Sequence, residues 1–135
     1  MIVDTGIFVA AVDADEPDHI RCVELLTTAP GVLVVPSLVV AEATFMIERV
    51  GGAAAEATFL RSLRSSRYVI ETPTGEDLIR AAELVEQYAD LPLGGTDASI
   101  IALAERLADP ELATLDRRHF SIVRPRHVQA FNLLP

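Results

Sequence analysis

The sequence predicts an α/β domain in which helices flank a parallel β-sheet. Short β-branched runs alternate with helical patterns along the 135 residues, which is typical of parallel sheets. The run Val32–Val35 is apolar without alternation, as in strands that are covered on both faces. Half of the residues are apolar, which is enough for one core, so residues 1–135 are expected to form one domain.

The first half of the chain should hold two strands and three helices. These are a strand at Met1–Asp4, helices at Gly6–Val12 and His19–Thr28, a strand at Val32–Val35, and a helix that begins after Pro36. Ser37 is a suitable N-cap for the third helix, because its hydroxyl can accept a bond from a free backbone N–H. Gly51-Gly52 is expected to end that helix, since glycine readily adopts the conformation that follows a helix C-terminus.

The second half should continue the alternation. Its expected elements are helix Ala53–Leu63, strand Tyr68–Ile70, helices Glu76–Ala89 and Asp97–Leu107, strand Leu112–Leu115, and a last strand at Ser121–Val123. Thr74 with Asp77 three residues later resembles a capping box, and Thr96 is a plausible cap for the next helix. The alternation indicates a doubly wound sheet in an α/β/α arrangement.

Composition excludes several classes of enzyme. All eleven basic residues are arginine, so a P-loop nucleotide-binding site and Schiff-base chemistry, which both need lysine, are excluded. The net charge of −9 argues against a protein that coats nucleic acid through a basic surface. It does not argue against a nuclease whose metal ions supply the local positive charge. Cys22 is the single cysteine, so an internal disulfide and a cysteine-based zinc site are excluded, and it is expected to fill the core.

Nothing in the sequence indicates a membrane. The longest apolar run, Val32–Ala41, contains Pro36 and is far too short to span a bilayer. The start of the chain has no basic region and reaches Asp4 at once, unlike a signal peptide. A cytoplasmic location is therefore expected.

Four acidic residues, distant in sequence, are expected at one edge of the sheet. Asp4 and Asp116 follow predicted strands, Asp97 opens a helix, and Glu42 lies in the second turn of a helix that follows a strand. Ligands bind beyond the carboxyl ends of the strands in such sheets, at the point where the strand order reverses. Convergent carboxylates suit Mg²⁺, with Mn²⁺ as an alternative, and such ions support phosphodiester cleavage.

Each acid also has a structural interpretation. Asp4 and Asp97 could serve only as helix-terminal residues, and Asp116 could be a turn residue. Glu42 is harder to explain in that way, because its helix face also carries Leu38, Val39, Phe45 and Met46. We therefore expect Glu42 on a buried face, where an unpaired carboxylate is costly unless a cation accompanies it.

Four segments of the chain form a recognisable set. They are Met-Ile-Val-Asp4-Thr5, Pro36-Ser37 followed by Glu42, Gly95-Thr96-Asp97-Ala98-Ser99-Ile100, and Ala113-Thr114-Leu115-Asp116-Arg117-Arg118-His119-Phe120. In these segments the chain resembles the PIN-domain ribonucleases, specifically the VapC-type toxins of bacterial toxin–antitoxin pairs. Each is weak alone, but their order and spacing in a chain of this size are specific.

The resemblance implies a five-stranded parallel sheet, Mg²⁺-dependent endonucleolytic cleavage of RNA, a homodimer and a partner antitoxin. The acidic site of the family corresponds to Asp4, Glu42, Asp97 and Asp116. Thr5 and Thr114 correspond to hydroxyl positions that support the carboxylates. Gly6 departs from the family pattern, which usually has serine there.

Two other functions stay open at this point. One is a metal-dependent nuclease acting on DNA, such as a flap-type nuclease, and the other is a metal-binding interaction module without catalysis. The basic stretch formed by Arg117, Arg118, Arg124 and Arg126, which His119 and His127 flank, is either an RNA contact or a solvated loop. Arg61, Arg64 and Arg67 recur every third residue and are expected to form one solvated helix face.

Overall fold

A five-stranded parallel sheet organises the protein, whose computed structural model describes residues 1–135. The strands are β1 (Ile2–Val3), β2 (Leu33–Pro36), β3 (Tyr68–Glu71), β4 (Glu111–Ala113) and β5 (Asn132–Leu134). Their order is β3-β2-β1-β4-β5, and every neighbouring pair is parallel. The predicted α/β class with helices flanking a parallel sheet is confirmed.

Six helices connect the strands. They are α1 (Thr5–Val12), α2 (His19–Thr28), α3 (Ser37–Ser62), α4 (Gly75–Gln87), α5 (Gly95–Leu107) and α6 (Arg117–Phe120). Helix α1 packs against α2 and α3, while α4 packs along α5. No helix combines the length and the apolar character that crossing a membrane requires.

The order of the strands brings the predicted acids to one place. The chain starts in the central strand β1, winds outwards through β2 and β3, and then returns to the other side of β1 with β4 and β5. The winding direction therefore reverses between β1 and β4, which makes the carboxyl ends of these two strands the topological switch point. Asp4 follows β1 directly, and its backbone N–H donates to the carbonyl of Ala113 at 2.9 Å.

The prediction of a last strand at Ser121–Val123 is wrong. These residues form a turn after α6, and the fifth strand is instead β5, which pairs with β4 from Glu111↔Asn132 onwards. Val123 is fully buried, so its apolar character reflects core packing rather than strand pairing. A short β-branched segment cannot distinguish these two causes by its composition.

The predicted break at Gly51-Gly52 is confirmed. Residues Ser37–Ser62 consist of two helices that are joined across a sharp kink, where Gly52 adopts φ 70° and ψ −177°. Glycine is the residue that adopts such a positive φ without a steric penalty from Cβ. The kink therefore divides α3 into two segments that run in different directions. The first segment, residues 37–51, contains Glu42.

Two predicted caps differ from the structure and one is confirmed. Helix α3 begins at Ser37 itself without a side-chain cap, and α5 begins at Gly95, one residue before the predicted cap Thr96. The capping box at the start of α4 is present, with the hydroxyl of Thr74 accepting from the N–H of Asp77 and the Asp77 carboxylate accepting from the N–H of Thr74. Short polar side chains near a helix start do not by themselves decide which one caps it.

Helix α5 is the most buried helix, and its position determines where Asp97 lies. Its residues 98–104 are all buried, so the helix is held on more than one side. Arg80 donates to both carboxylate oxygens of Glu105, at 2.8 and 3.0 Å, and Arg106 donates to Asp77 at 2.9 Å. These ion pairs, which are mostly shielded from solvent, join α4 to the last turn of α5.

Candidate active site

Asp4 lies at the centre of the switch point and is almost completely buried, with 6 % of its surface exposed. Its Oδ1 accepts a hydrogen bond from the backbone N–H of Thr5 at 2.6 Å, which caps α1. Its Oδ2 accepts from the hydroxyl of Thr114 at 2.7 Å. Asp4 is thus both the helix cap that the sequence allowed and a carboxylate at the proposed site, so the two interpretations are compatible.

Burial raises the pKa of the Asp4 carboxyl from 3.8 to about 6. The hydrogen bonds from Thr114 and Thr5 oppose that rise, and the negative charges of Asp97 and Glu42 add to it. A carboxylate with a pKa raised by desolvation and by like charges is typical of a functional site and would be stabilised by a cation.

The prediction that Glu42 lies on a buried face is wrong. Glu42 is exposed, and so are Leu38, Phe45 and Met46 on the same side of α3. The buried face of α3 consists instead of Val39, Ala43 and Ile47. The first segment of α3 is apolar on both faces, so the periodicity of its sequence does not identify the side that faces the core.

Glu42 nevertheless lies at the acidic cluster. Its Oε2 accepts a hydrogen bond from the hydroxyl of Thr5 at 2.6 Å. The same threonine donates its backbone N–H to Asp4. Thr5 therefore joins the two carboxylates, with Glu42 on the solvent side and Asp4 on the core side.

Asp97 and Asp116 meet at the side chain of His119. The ring Nδ1 of His119 lies 2.9 Å from Asp97 Oδ2 and 3.1 Å from Asp116 Oδ2. Ligand atoms of these three residues all lie within 4.8 Å of one another, which is close enough to share one metal ion. With both carboxylates ionised, Nδ1 must carry the hydrogen, because an ionised carboxylate can only accept.

Burial also raises the pKa of Asp97, and the charges of Asp116 and Glu42 contribute to the rise. The hydrogen bond and the charge of His119 oppose it. The two acids with raised pKa values, Asp4 and Asp97, are thus the two that are most removed from solvent among the four.

A continuous series of hydrogen bonds joins the four acids. The Thr114 hydroxyl donates to Asp4 and accepts from the backbone N–H of Asp116 at 3.0 Å, which links β1 to the segment after β4. In order, the linked residues are Glu42, Thr5, Asp4, Thr114, Asp116, His119 and Asp97. Four separate segments of the chain therefore contribute carboxylates to one connected cluster.

His119 is the member of this cluster to which the sequence analysis assigns no role in the site, although it lies in the family-like segment Ala113–Phe120 and flanks the basic stretch. The spacing Asp116-x-x-His119 at the start of a helix was the available signal, because residues three apart lie on one side of a helix. The backbone N–H of His119 also donates to Asp116 Oδ1 at 3.1 Å, so Asp116 caps α6 and orients this histidine.

We expect the substitution His119→Ala to enlarge the stabilisation that Mg²⁺ confers. Without the imidazole, Asp97 and Asp116 lose a hydrogen-bond donor and repel each other more strongly. Thermal unfolding with and without millimolar MgCl₂ measures the effect, and His19→Ala on α2 is the matched control. A smaller Mg²⁺-induced shift in the variant would contradict this expectation and show that His119 supports metal binding, as a ligand or by orienting the two carboxylates.

The arginines of the basic stretch differ in whether their side chains have hydrogen-bond partners within the protein. Arg117 donates to the carbonyl of Pro135, Arg124 to that of Ser121, and Arg126 to Glu83. Arg118 has no such partner and lies two residues after Asp116. Of the arginines in this stretch, Arg118 is therefore the one whose side chain is free to meet an anion near the cluster.

Arg67 does not belong to a solvated helix face as predicted. Its guanidinium donates to the carbonyl oxygens of Leu26 and Ala29 at 3.2 and 3.0 Å. These two carbonyls lie at the C-terminal end of α2, where the last backbone carbonyls have no hydrogen-bond donor within the helix, and Arg67 supplies the missing donors. Cys22 is fully buried in the core, as the sequence predicted.

The donors of the cluster fit a hard divalent cation. Carboxylate oxygens predominate, a single imidazole accompanies them, and no thiolate is present. Each oxygen of Asp4 accepts one hydrogen bond and retains a lone pair. A side chain at Gly6, where the family pattern has serine, would also fit, since its Cβ would lie 3.8 Å from that of Leu115.

The profile of the PIN domain family matches residues 1–124. The chain belongs to the PIN domain family. Ribonuclease VapC26 of Mycobacterium tuberculosis (strain ATCC 25618 / H37Rv) is 36% identical to this PIN domain over 135 residues, and the match covers all of both chains.

A solved structure supports the fold of this PIN domain. The crystal structure of Mycobacterium tuberculosis VapC20, described as a sarcin–ricin loop cleaving toxin, superposes with a TM-score of 0.84. The match covers 95% of this chain and 98% of VapC20, at 20% sequence identity. The resemblance to VapC-type PIN domains that the sequence indicated is therefore confirmed.

Proposed function

We propose that this PIN domain is a Mg²⁺-dependent endoribonuclease and the toxin of a toxin–antitoxin pair. Residues 1–135 would form one nuclease domain, which would act in the cytoplasm. The observation that carries the proposal is the connected cluster of Asp4, Glu42, Asp97 and Asp116 at the switch point of the sheet. The relationship to a full-length ribonuclease at 36% identity supports RNA as the substrate.

The four carboxylates would hold Mg²⁺, with Mn²⁺ as an alternative. When bound, the ion would orient water and offset the charge that develops on the phosphodiester. Asp4 and Asp97 would be the main ligands, because their raised pKa values indicate carboxylates whose charge is least compensated in the protein itself. Glu42 and Asp116 would complete the site directly or through water.

The threonines and the histidine would maintain this arrangement. Thr114 and Thr5 each donate a hydroxyl to one carboxylate, which restricts its rotation. His119 holds Asp97 and Asp116 together. Outer hydroxyl groups such as those of Thr5 and Thr114 orient ligands, and the loss of such a group typically costs 10- to 100-fold in metal affinity or activity.

Matched RNA and DNA strands test the proposal. The purified protein is incubated with single-stranded RNA and DNA of the same sequence, and with a pool of total RNA, with MgCl₂ or with EDTA. Cleavage of RNA at internal positions, dependent on Mg²⁺, is the expected result. Cleavage of DNA would favour a DNA or flap-type nuclease, and Mg²⁺-induced stabilisation without cleavage of either strand would favour a metal-binding interaction module.

We further expect the antitoxin to inhibit this site with an arginine. A guanidinium can bind a carboxylate in a bidentate manner and stays charged when desolvated, so Asp4, Asp97 or Asp116 would receive it in competition with the metal. An apolar groove of about 410 Å³, lined by Phe8, Val12 and Phe59 among others, could hold an apolar segment of the same antitoxin.

Titration of antitoxin affinity against MgCl₂ and NaCl at equal ionic strength tests that competition. We expect affinity to fall more steeply with MgCl₂, because the divalent ion occupies the carboxylates as well as screening charge. Coincident curves would mean that the antitoxin covers the protein without using the acidic cluster.

A homodimer is the expected assembly, in agreement with the mean hydropathy of +0.34. Helices α4 and α5 and Leu38 border an apolar groove of about 600 Å³. Leu78 and Val85 of α4 are 52 % and 38 % exposed at this groove, and a second copy would cover them.

Light scattering should give twice the chain mass of 14.6 kDa at micromolar concentration. The substitution Leu78→Asp should shift the protein to monomer, whereas Ile20→Asp, at an exposed apolar residue of α2, should not. A monodisperse monomer for the unsubstituted protein would refute the dimer.

A further inference from the structure

The outward face of α3 is exposed although it is largely apolar. We define this face by Leu38, Glu42, Phe45, Met46 and Arg49, which recur at the spacing of one helix side. Phe45 is 61 % exposed and Met46 39 %, whereas the opposite face of the same segment is buried. A large aromatic ring that stays exposed beside an acidic cluster needs an explanation other than core packing.

The outward face is continuous with the candidate active site through Glu42. Glu42 accepts the hydroxyl hydrogen bond of Thr5, whose N–H binds Asp4. At the helical rise, Phe45 follows Glu42 by about 4.5 Å along the axis of α3, and Arg49 follows it by about 10 Å. If a phosphate of an RNA strand lies at the carboxylates, the adjacent nucleotide of that RNA strand would reach Phe45 and Arg49.

Arg49 is bound to the aromatic ring and to no carboxylate. Its guanidinium carbon lies 5.3 Å from the centroid of the Phe45 ring, within the range of a cation–π contact. Arg80, Arg106 and Arg126, in contrast, are all paired with carboxylates. In a chain of net charge −9, an arginine free of acidic partners beside an acidic site is available to an external anion.

We propose that Phe45 and Arg49 form a nucleotide subsite, in which a base of the RNA strand stacks on the face of the Phe45 ring that Arg49 does not cover, and Arg49 contacts the adjoining phosphate. This inference rests on the proposed ribonuclease function and specifies how the substrate is positioned. Single-stranded nucleic acids are commonly bound by such a pair, because every base has a π-face and every phosphate a charge. The subsite would favour unpaired RNA, since a base within a duplex cannot stack on the ring.

The charge of Arg49 favours RNA over a protein partner at this position. An apolar protein segment could bind to Leu38 and Met46 of this face without any need for an arginine. Its binding would also bury the Arg49 guanidinium without a counter-ion. A polyanion satisfies the ring and the guanidinium together. The four carboxylates repel the same polyanion, so a cationic contact next to them also helps to hold the strand in place.

Steady-state cleavage of a single-stranded oligoribonucleotide that contains a mapped cleavage site tests the subsite. We expect Phe45→Leu to raise KM by about 5- to 100-fold, as the loss of one stacked base predicts, with kcat much less affected. Phe45→Trp should retain the wild-type KM, because it preserves the aromatic face. Equal KM values for wild type and Phe45→Leu would refute stacking.

Arg49→Gln separates the phosphate contact from the stacking contact. We expect the slope of log affinity against log salt concentration to decrease by about 0.7, the value for one phosphate contact on a single strand. Arg61→Gln, at an exposed arginine of α3 beyond the kink, is the matched control and should leave the slope unchanged. An unchanged slope in Arg49→Gln would refute the phosphate contact.

Binding measured without cleavage distinguishes failure of the subsite from failure of the proposed function. In an Asp97→Asn background with MgCl₂, an oligoribonucleotide carrying 2-aminopurine next to the cleavage site should lose fluorescence on binding, and Phe45→Leu should restore it.

If the wild type cleaves RNA but the emission does not depend on Phe45, the subsite is refuted and the ribonuclease function stands. If Phe45→Leu instead changes the mass in light scattering with KM unaltered, the outward face of α3 is a protein contact. If the wild type cleaves no RNA, the proposed function itself fails, and the subsite fails with it.

Discussion

Replacing Asp97 by asparagine is expected to lower Mg²⁺-dependent RNA cleavage by about a thousandfold, which corresponds to the several kcal/mol that a bound metal ion contributes to the transition state. The amide keeps the shape of the side chain but removes the charge that would hold the ion. Asp97 also lies within the group of ligand atoms that could share one ion with Asp116 and His119. The rate of oligoribonucleotide cleavage measures the loss.

The fold should survive this substitution, since Asp97 is only partly buried and its removal relieves repulsion with Asp116 and Glu42. Circular dichroism and thermal unfolding check that point. Asp90→Asn, the same chemical change in the exposed turn after α4, is the matched control and should retain full activity. Cleavage near the wild-type rate by the Asp97→Asn protein would refute the assigned site.

The substitution Asp4→Asn is expected to stabilise the metal-free protein at pH 7 by up to about 3 kcal/mol. The pKa of Asp4 is raised from 3.8 to about 6, and each pKa unit corresponds to about 1.4 kcal/mol. Between pH 4 and 6 the folded protein therefore binds more protons at Asp4 than the unfolded chain does. The stability of the wild type should fall as pH rises through this window, and the full penalty should persist above it.

Asparagine removes the charge while it remains a favourable N-cap for α1. The wild-type and Asp4→Asn proteins should therefore differ most above pH 6 and converge below about pH 4. Chemical denaturation in EDTA across this range measures the difference. Lower stability of Asp4→Asn at pH 7 would show that the hydrogen bonds to Thr5 and Thr114 outweigh the burial of the charge.

Mg²⁺ should reverse this order of stability. A cation at the cluster stabilises ionised Asp4, so MgCl₂ should stabilise the wild type, release protons, and have little effect on Asp4→Asn. The absence of any Mg²⁺ effect on the wild type would argue against metal binding by these carboxylates.

The sequence by itself was sufficient to predict the fold class and the four acidic residues that meet at the switch point. Strand-like runs that alternate with helical patterns specify a doubly wound sheet, and topology then brings Asp4 and Asp116 to the same edge. The capping box at Thr74 and Asp77 could also be predicted from the sequence, because it depends on residues only three positions apart. These features are local, or they follow from rules about chain connection that hold for any such sheet.

Only the tertiary structure decided which apolar segments form the core. The first segment of α3 is apolar on two faces, so the exposure of Phe45 and Glu42 depends on which face is covered by α1, the sheet and α5. The fifth strand depended in the same way on a partner, since Asn132–Leu134 becomes a strand by pairing with β4, whereas Val123 is buried in a turn. His119 joins the acids because α6 and the start of α5 converge in space. Burial and pairing depend on contacts between segments distant in the chain, and local periodicity contains no information about which of those contacts form.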